Sequence, residues 1–405
     1  MREKKGYKGQ HMTCPGCGHE AKFVNYRPCE ITTLMGPAVY ERAYYHGPHC
    51  HHGDCPTDAE FGLEDKHTPG ADEVIALAGA TSAFDEAAHV QLARMSGLRL
   101  SSSSVQRITE SVGQQVASLR AAGETFGPDE VWTWPVDANG LTTAYVGLDA
   151  ISVRQQGPHA EPAEGRMSLV GTVFRDNAKT TKHSHRGARY VAGLVDLPAI
   201  GHQLRRECEA VGVAQADQVL ALTDGGAGLE DCLTESLAGI AKHVIFVLDF
   251  WHAAEHLQEF ANVFVRDETA REAQVQAWCH LMKHAGGRIL LRTVEELDLT
   301  QATPAVLEAH RQLTGYVRNN VHRMDYPTYI RNGWQIGSGR AESACNSVIR
   351  CRLKGCGMRW REFGTNSLGH LRALLKSEPS AWQHFWSREN LQPPTHAEPT
   401  AHLLS

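Results

Sequence analysis

Hydrophobic and polar positions change their period twice along the chain. Over the first 60 or so residues the pattern is short and alternating, as in 38–45, and broken by Gly and Pro, which predicts small hairpins. From about 70 to 122, apolar residues recur every three to four positions in 71–80, 84–95 and 104–120, predicting three helices. Gly97 interrupts the second and third, and the hydroxyls of residues 101–104 can satisfy the free amides at the start of the third. Three helices with a Gly turn before the last fit either a helix-turn-helix or a plain helical linker bundle.

Beyond 131 the pattern becomes that of strands. An apolar run at 142–148 ends in Asp149, and a run at 168–174 follows a Gly/Pro-rich loop. The run at 218–223 ends in Asp224 and that at 243–248 in Asp249. Helical periodicity returns between about 252 and 325, and Gly337-Ser338 opens one more amphipathic helix. The sequence therefore predicts an α/β multidomain chain. Its segments are a Cys/His-rich one at 1–65, a small helical domain at 66–125, a core at 130–376 with a helical insertion at about 252–325, and a tail at 377–405.

At 405 residues the chain exceeds one ordinary domain, and 42% hydrophobic with 21% charged residues is the composition of a soluble protein. No run approaches the roughly 20 apolar residues of a membrane span. The first ten residues are basic and polar, so a cytoplasmic, unprocessed chain without a membrane partner is expected. The 11 cysteines are an odd count suited to a reducing compartment. Five of them, Cys14, Cys17, Cys29, Cys50 and Cys55, crowd the first 55 positions, which asks for a metal. A net charge of -6 argues mildly against nucleic acid, but its distribution argues the other way. From 311 to 376, ten or more Arg and Lys face only Asp325 and Glu362 beside Glu342 among the acids, a local footprint of DNA binding.

Three carboxylates that follow strands suggest chemistry. A rigid sheet fixes such a group at its edge while solvent and metal still reach it. Two of them with a third from a helix can hold two Mg²⁺ ions about 3.5–4 Å apart, the arrangement that serves phosphodiester cleavage. The plain alternative is that an Asp after a strand is only a turn former or helix cap. Glu342, with Asn346 and Arg350 at four-residue steps, lines one helical stripe beside Ala341, Cys345, Val348 and the stem of Arg352. A merely solvated helix face would read the same way. Asp137 also follows an apolar run, but Pro135 and Asn139-Gly140 read as a hairpin turn. Asp249 with His252 and His256 could form a metal site of its own.

In combination these motifs resemble the insertion-sequence DDE transposases, in particular the ISKra family, relatives of the Mutator-like group. The resemblance rests on Tyr-Val-Gly-Leu-Asp149 through Gly171, Thr-Asp224-Gly-Gly-Ala-Gly228, Leu-Asp249-Phe-Trp-His252, and Gly337-Ser-Gly-Arg-Ala-Glu342 through Trp360. It covers nearly the whole chain. It implies an RNase H-like catalytic core with Asp149, Asp224 and Glu342 as the metal-binding carboxylates and Asp249 and His252 as auxiliaries. It further implies Mg²⁺ or Mn²⁺ as cofactor, two ions, and DNA as partner, both the terminal inverted repeats and the target. Arg340, Asn346, Arg350, Arg352 and Lys354 are the expected DNA-contacting residues. The implied enzyme cuts and transfers strands, works as at least a dimer because two ends are joined, and is nucleoid-associated. Two other readings stay open: a catalytically inactive zinc-ribbon regulator, and a two-metal nuclease without strand transfer.

Cys14-Pro-Gly-Cys17-Gly is a knuckle that can hold half of a structural Zn²⁺ site. The family's second Cys pair is incomplete here, with Gly47 at its first position and Cys50 at its second. Cys55 is the expected fourth ligand, with His46 and His51 as substitutes. A zinc ribbon ahead of the helices suits recognition of the terminal repeats, with Lys4, Lys5, Lys8 and Arg42 at phosphates.

Overall fold

The computed structural model describes residues 4–63, 66–128, 130–175, 187–337 and 344–387. The chain divides into two compact units, 1–115 with 383–405, and 116–382. The boundary falls inside the third helix, earlier than the break expected near 125.

The first unit begins with a mixed sheet of five strands. These are β1 (Lys4–Lys5), β2 (His11–Thr13), β3 (Glu20–Thr33), β4 (Gly36–His46) and β5 (Gly53–Asp54), in the order β1-β4-β3-β2 with β5 on β4. One long hairpin dominates where several small ones were expected. Thr33 pairs with Gly36 across Leu34-Met35, and Gly36 takes the positive φ of 101° that so tight a reversal requires. Ala21, Ala43 and Tyr45 pack with Cys14 under the sheet. Three helices follow, α1 (Pro69–Thr81), α2 (Ala87–Ser96) and α3 (Ser102–Ala121), close to the expected spans. Their stripes Ala71, Ile75 and Ala78, then Ala88 and Leu92, then Val105 and Ile108 form one core. The Ser101 hydroxyl accepts from the Ser104 amide at 3.1 Å, the cap expected there.

The second unit is an α/β core. Its sheet holds β6 (Thr143–Gln156), β7 (Pro162–Phe174), β8 (Ala188–Gly193), β9 (Gln218–Thr223) and β10 (Val244–Leu248), in the order β10-β9-β6-β7-β8. β6, β7 and β8 form an antiparallel meander, whereas β9 joins β6 in parallel and β10 joins β9 in parallel. The parallel steps need crossovers, supplied by α4 (Leu197–Ala210) before β9 and α5 (Leu229–Leu237) before β10. Strict alternation sorts the sheet's two faces. Ala144, Val146, Leu148, Val219 and Ala221 pack with Ile200, Leu204 and Leu233 of α4 and α5. Tyr145, Leu220 and Leu222 pack with the helices that follow β10.

Those helices are α6 (Phe250–Phe264), α7 (Glu268–Ala285), α8 (Gly287–Glu295), α9 (Pro304–Asn320) and α10 (Tyr326–Arg331), the helical insertion expected at 252–325. After Gly337 the described chain resumes at Ala344 and enters α11 (Cys345–Arg350), then α12 (Glu362–Lys376). α12 lies close on β8, where a Cβ at Gly369 would stand 3.2 Å from the Gly193 Cα. The segment expected as a tail from 377 starts with a further helix, α13 (Ala381–Trp386), and residues 388–405 lie outside the described residues.

Within the second unit β8 is pinned by a buried ion pair. The Arg189 guanidinium donates to Glu207 of α4 at 2.9 Å, to the Phe126 carbonyl at 2.8 Å and to the Pro379 carbonyl at 3.2 Å. Both charged side chains are almost fully buried. Removing one partner strands the other charge in a medium of low polarity. Glu207→Ala is therefore expected to cost about 3–5 kcal/mol in urea unfolding, whereas Glu308→Ala, which breaks the solvent-exposed Arg311–Glu308 pair of α9, should leave the midpoint nearly unchanged; equal shifts would deny the buried pair this role.

Candidate active site

The core sheet brings Asp149 and Asp224 together by register. In the parallel ladder Gly147 pairs with Leu222, so two positions further on Asp149 stands beside Asp224. Both belong to the odd/even set that points toward the helical insertion, as Tyr145, Leu220 and Leu222 do. One expectation is corrected: β6 does not end before Asp149 but runs on to Gln156. Its hairpin partner β7 continues to pair with it through Gln156, with a register shift after Val153. β9 has already ended at Thr223, so β6 outruns it and the Asp149 side chain occupies an open sheet edge.

The surroundings of Asp149 are charged and half-buried. Its Oδ1 accepts from the Ala150 amide at 2.6 Å. Burial pushes its carboxyl up to about 6; the Cys345 thiol, hydrogen-bonded to it, opposes the rise, while the Asp224 charge adds to it and His252 again opposes. Asp224 follows β9 directly, and its Oδ1 accepts from the Gly226 amide at 2.8 Å. Gly225 takes a φ of 91°, which frees the chain to turn away while the carboxylate stays at the strand end. The Tyr316 hydroxyl of α9 donates to the Asp224 backbone carbonyl at 3.2 Å.

Asp249 lies one strand over and performs a different task. Its Oδ1 caps α6, accepting from the Trp251 and His252 amides at 2.7 and 3.3 Å, and the residue is 4% exposed. The cap-forming role foreseen for any strand-end Asp is thus filled at this position. His252 and His256 follow on α6, with ring centroids 5.1 Å apart, and His256 lies 3.9 Å from the Tyr316 ring. Burial lowers the His256 pKa, and neighbouring His252 lowers it further. Asp137 sits before β6 and accepts from the Asn139, Leu141, Gln218 and Trp334 N–H groups at 2.8–3.0 Å, so it organises the turn.

Glu342 and Arg340 lie outside the described residues. The chain on either side of them reaches this region: a Cβ on Gly337 would stand 2.8 Å from Trp251, and Cys345 bonds Asp149. Asn346, Arg350 and Lys354 are exposed. Arg352 is not. It is 2% exposed, with its guanidinium 5.0 Å over the Trp360 ring, so it joins the buried stripe with Cys345, Val348 and Leu353. Trp360 in turn bonds β6, accepting from the Gln156 amide at 2.7 Å and donating to the Arg154 carbonyl at 3.1 Å. Sequence reasoning missed Cys345 and Tyr316 as neighbours of the carboxylates. Cys345 carried a signal, one helical turn after Glu342; Tyr316 carried none.

In the first unit, Cys14, Cys17 and Cys50 bring their sulfurs within 4.8 Å of one another. Cys14 and Cys50 are 3.5 Å apart. Cys17 also groups with His19 and His49. Three thiols and neighbouring imidazoles are a donor set suited to Zn²⁺. Cys55 is corrected out of this cluster: it precedes the helical turn Pro56–Glu60 and feels Arg42 and Asp58 instead. Arg42, expected at a phosphate, pairs with Asp58, and Lys8 with Glu60.

Comparison with known proteins gives no match to a family model and none to a curated protein. No described helix is long and apolar enough to cross a membrane.

The raised Asp149 pKa has a signed consequence. The unfolded carboxyl titrates near 3.9, so between roughly pH 4 and 6 the folded chain keeps a proton that the unfolded chain has lost. Stability from this group is therefore highest in acid and declines as pH rises through about 6. Asp149→Asn is expected to gain on the order of 2 kcal/mol over the wild type between pH 4 and pH 7.5. Urea melts at the two pH values check this, and a difference that does not change with pH would refute it.

Proposed function

We propose that the second unit is the RNase H-like core of a DDE transposase, in which Asp149, Asp224 and Glu342 hold two Mg²⁺ or Mn²⁺ ions. The observation that carries the reading is the parallel β6/β9 register, which sets two carboxylates side by side at one open sheet edge. The strand order, an antiparallel meander continued by two parallel strands, supports the same reading. The donor set fits the ions: hard oxygens, half-buried, with mutual repulsion that a divalent cation would relieve. When bound, the two ions supply Lewis acidity to the attacking and leaving oxygens of a phosphodiester.

The residues of the chain have distinct parts in this proposal. Asp149 and Asp224 must both be ionised, and Cys345 donates to the Asp149 carboxylate to favour that state. Asp249 fixes the start of α6 and so the placement of His252 beside Asp149. Glu342 is the proposed third carboxylate because it lies between Gly337 and Cys345. Asn346, Arg350 and Lys354 present an exposed polar and basic face to DNA. The first unit, with a structural Zn²⁺ on its thiol cluster, is the proposed reader of the terminal repeats.

The test is DNA bearing the element's own flanking repeats, incubated with purified full-length chain and Mg²⁺ or Mn²⁺. Cleavage followed by joining of the freed 3′ ends is expected, with Asp149→Asn and Glu342→Gln each lowering both by about 1,000-fold or more. Cleavage without joining would make the protein a nuclease; specific binding with neither would make it a regulator. In salt titrations of DNA binding, Arg350→Ala and Lys354→Ala are each expected to reduce the slope of log affinity against log salt by about 1. An unchanged slope in both would remove residues 350–354 from the DNA face.

A further inference from the structure

The thiol cluster of the first unit lacks a fourth thiolate, and the structure shows where one would have been. A Cβ built on Gly47 would stand 3.1 Å from the Cys14 sulfur and 3.5 Å from that of Cys50. Gly47 thus occupies the corner of the cluster at which a side chain would enter it. Cys55, His46 and His51 are absent from the metal-capable groups found among the described residues. His19 and His49 are present in them, through Cys17.

His19 is the better placed of the two. Its backbone carbonyl accepts from the Cys14 amide at 2.7 Å, and the Gly18 amide donates to the Cys14 carbonyl at 2.9 Å, so the residue is part of the knuckle itself. Its Nδ1 lies 3.1 Å from the Cys17 carbonyl oxygen. A carbonyl can only accept, so Nδ1 carries the proton and Nε2 is left with its lone pair. That is the tautomer a metal-ligating histidine adopts when its other nitrogen is held by a backbone carbonyl. The His49 ring stacks on it with centroids 4.0 Å apart and planes 11° from parallel, which limits how the imidazole can tilt.

We propose that this chain binds one zinc ion through Cys14, Cys17, Cys50 and His19 Nε2, with the imidazole replacing the thiolate that Gly47 cannot supply. The inference rests on the zinc reading of this unit and is independent of the catalytic one. Three thiolates, each losing its proton to solvent, and one neutral imidazole leave the site with one net negative charge around Zn²⁺. A single carbonyl contact therefore decides which histidine nitrogen is offered to the ion.

Cobalt substituted into the full-length chain reads the ligand set directly, because thiolate charge transfer counts sulfurs and the visible bands report tetrahedral geometry. The wild type is expected to bind one Co²⁺ tetrahedrally with three thiolates. His19→Ala should lose visible-band intensity and bind about tenfold or more weakly. His19 is exposed, so the substitution leaves the packing intact. Adding Gly47→Cys to His19→Ala should restore tight binding, with stronger charge transfer and bands moved to longer wavelength. A His19→Ala spectrum and affinity equal to the wild type's would overturn the assignment, as would loss of the ion in His49→Ala alone. A wild-type chain that binds no cobalt would instead overturn the zinc reading beneath it.

Discussion

The parallel pairing of β6 with β9 sets Gly147 opposite Leu222, and the geometry of the proposed centre follows from that match. A strand slipped by one residue turns every side chain to the other face, so the register could not shift without moving Asp149 into the cluster of Ile200 and Leu204. The apolar residues on both faces enforce it: Val146 and Ala221 must meet α4 and α5, and Tyr145 and Leu222 must meet the insertion. Packing energy spent across the whole sheet thereby fixes two carboxylates that contribute nothing to packing. Burial above all, and the Asp224 charge in addition, raise the Asp149 pKa, and a binding site for cations is where a half-buried carboxylate pair of this kind has a use.

The rest of the second unit holds that edge rigid while leaving it reachable. Arg189 and Glu207 tie β8 to α4, and Trp360 adds backbone bonds to the far end of β6 beyond Asp149. On the other side, Asp249 caps α6 and Tyr316 of α9 holds the Asp224 carbonyl. The helical insertion thus touches both parallel strand ends. Arg323 adds a buried link, donating to the Thr223 hydroxyl at 2.7 Å just before Asp224. The long excursion between the second and third proposed carboxylates is therefore a wall of the site as well as a connection.

Much of this was legible in the sequence, for reasons that differ by element. β9 and β10 were readable because they are short, apolar in their interiors and bounded by turn residues, and the observed Gln218–Thr223 matches the expected span. Helices α1 to α3 were readable from their period and their serine cap. β8 and the end of β6 were not: residues 150–156 mix polar and apolar side chains, and their strand state comes from pairing with β7, which a local pattern does not record. The carboxylates were legible as candidates from the local pattern, but their partnership was suggested only by the family resemblance, since register depends on residues 75 positions apart. For Arg352 the expected burial of its stem beside Cys345 and Val348 holds, but its guanidinium lies over Trp360 instead of facing DNA, because two residues beyond the exposed Arg350 is about half a turn around the helix. In the first unit the knuckle was plain, but the proposed fourth ligand His19 was not among the substitutes expected, His46 and His51, because its contact with the Cys17 carbonyl is supplied only by the fold.

Calorimetric titration of Mn²⁺ into the full-length chain at pH 7.5, in the wild type and in Asp149→Asn, Asp224→Asn and Asp249→Asn, decides which carboxylates hold the ion. Binding is expected to fail in the first two variants and to survive in the third, whose carboxylate is engaged by the amides of α6. Binding that persists in Asp224→Asn and vanishes only in Asp249→Asn would contradict this, because the pair defined by the β6/β9 register would then not be the pair that holds the ion.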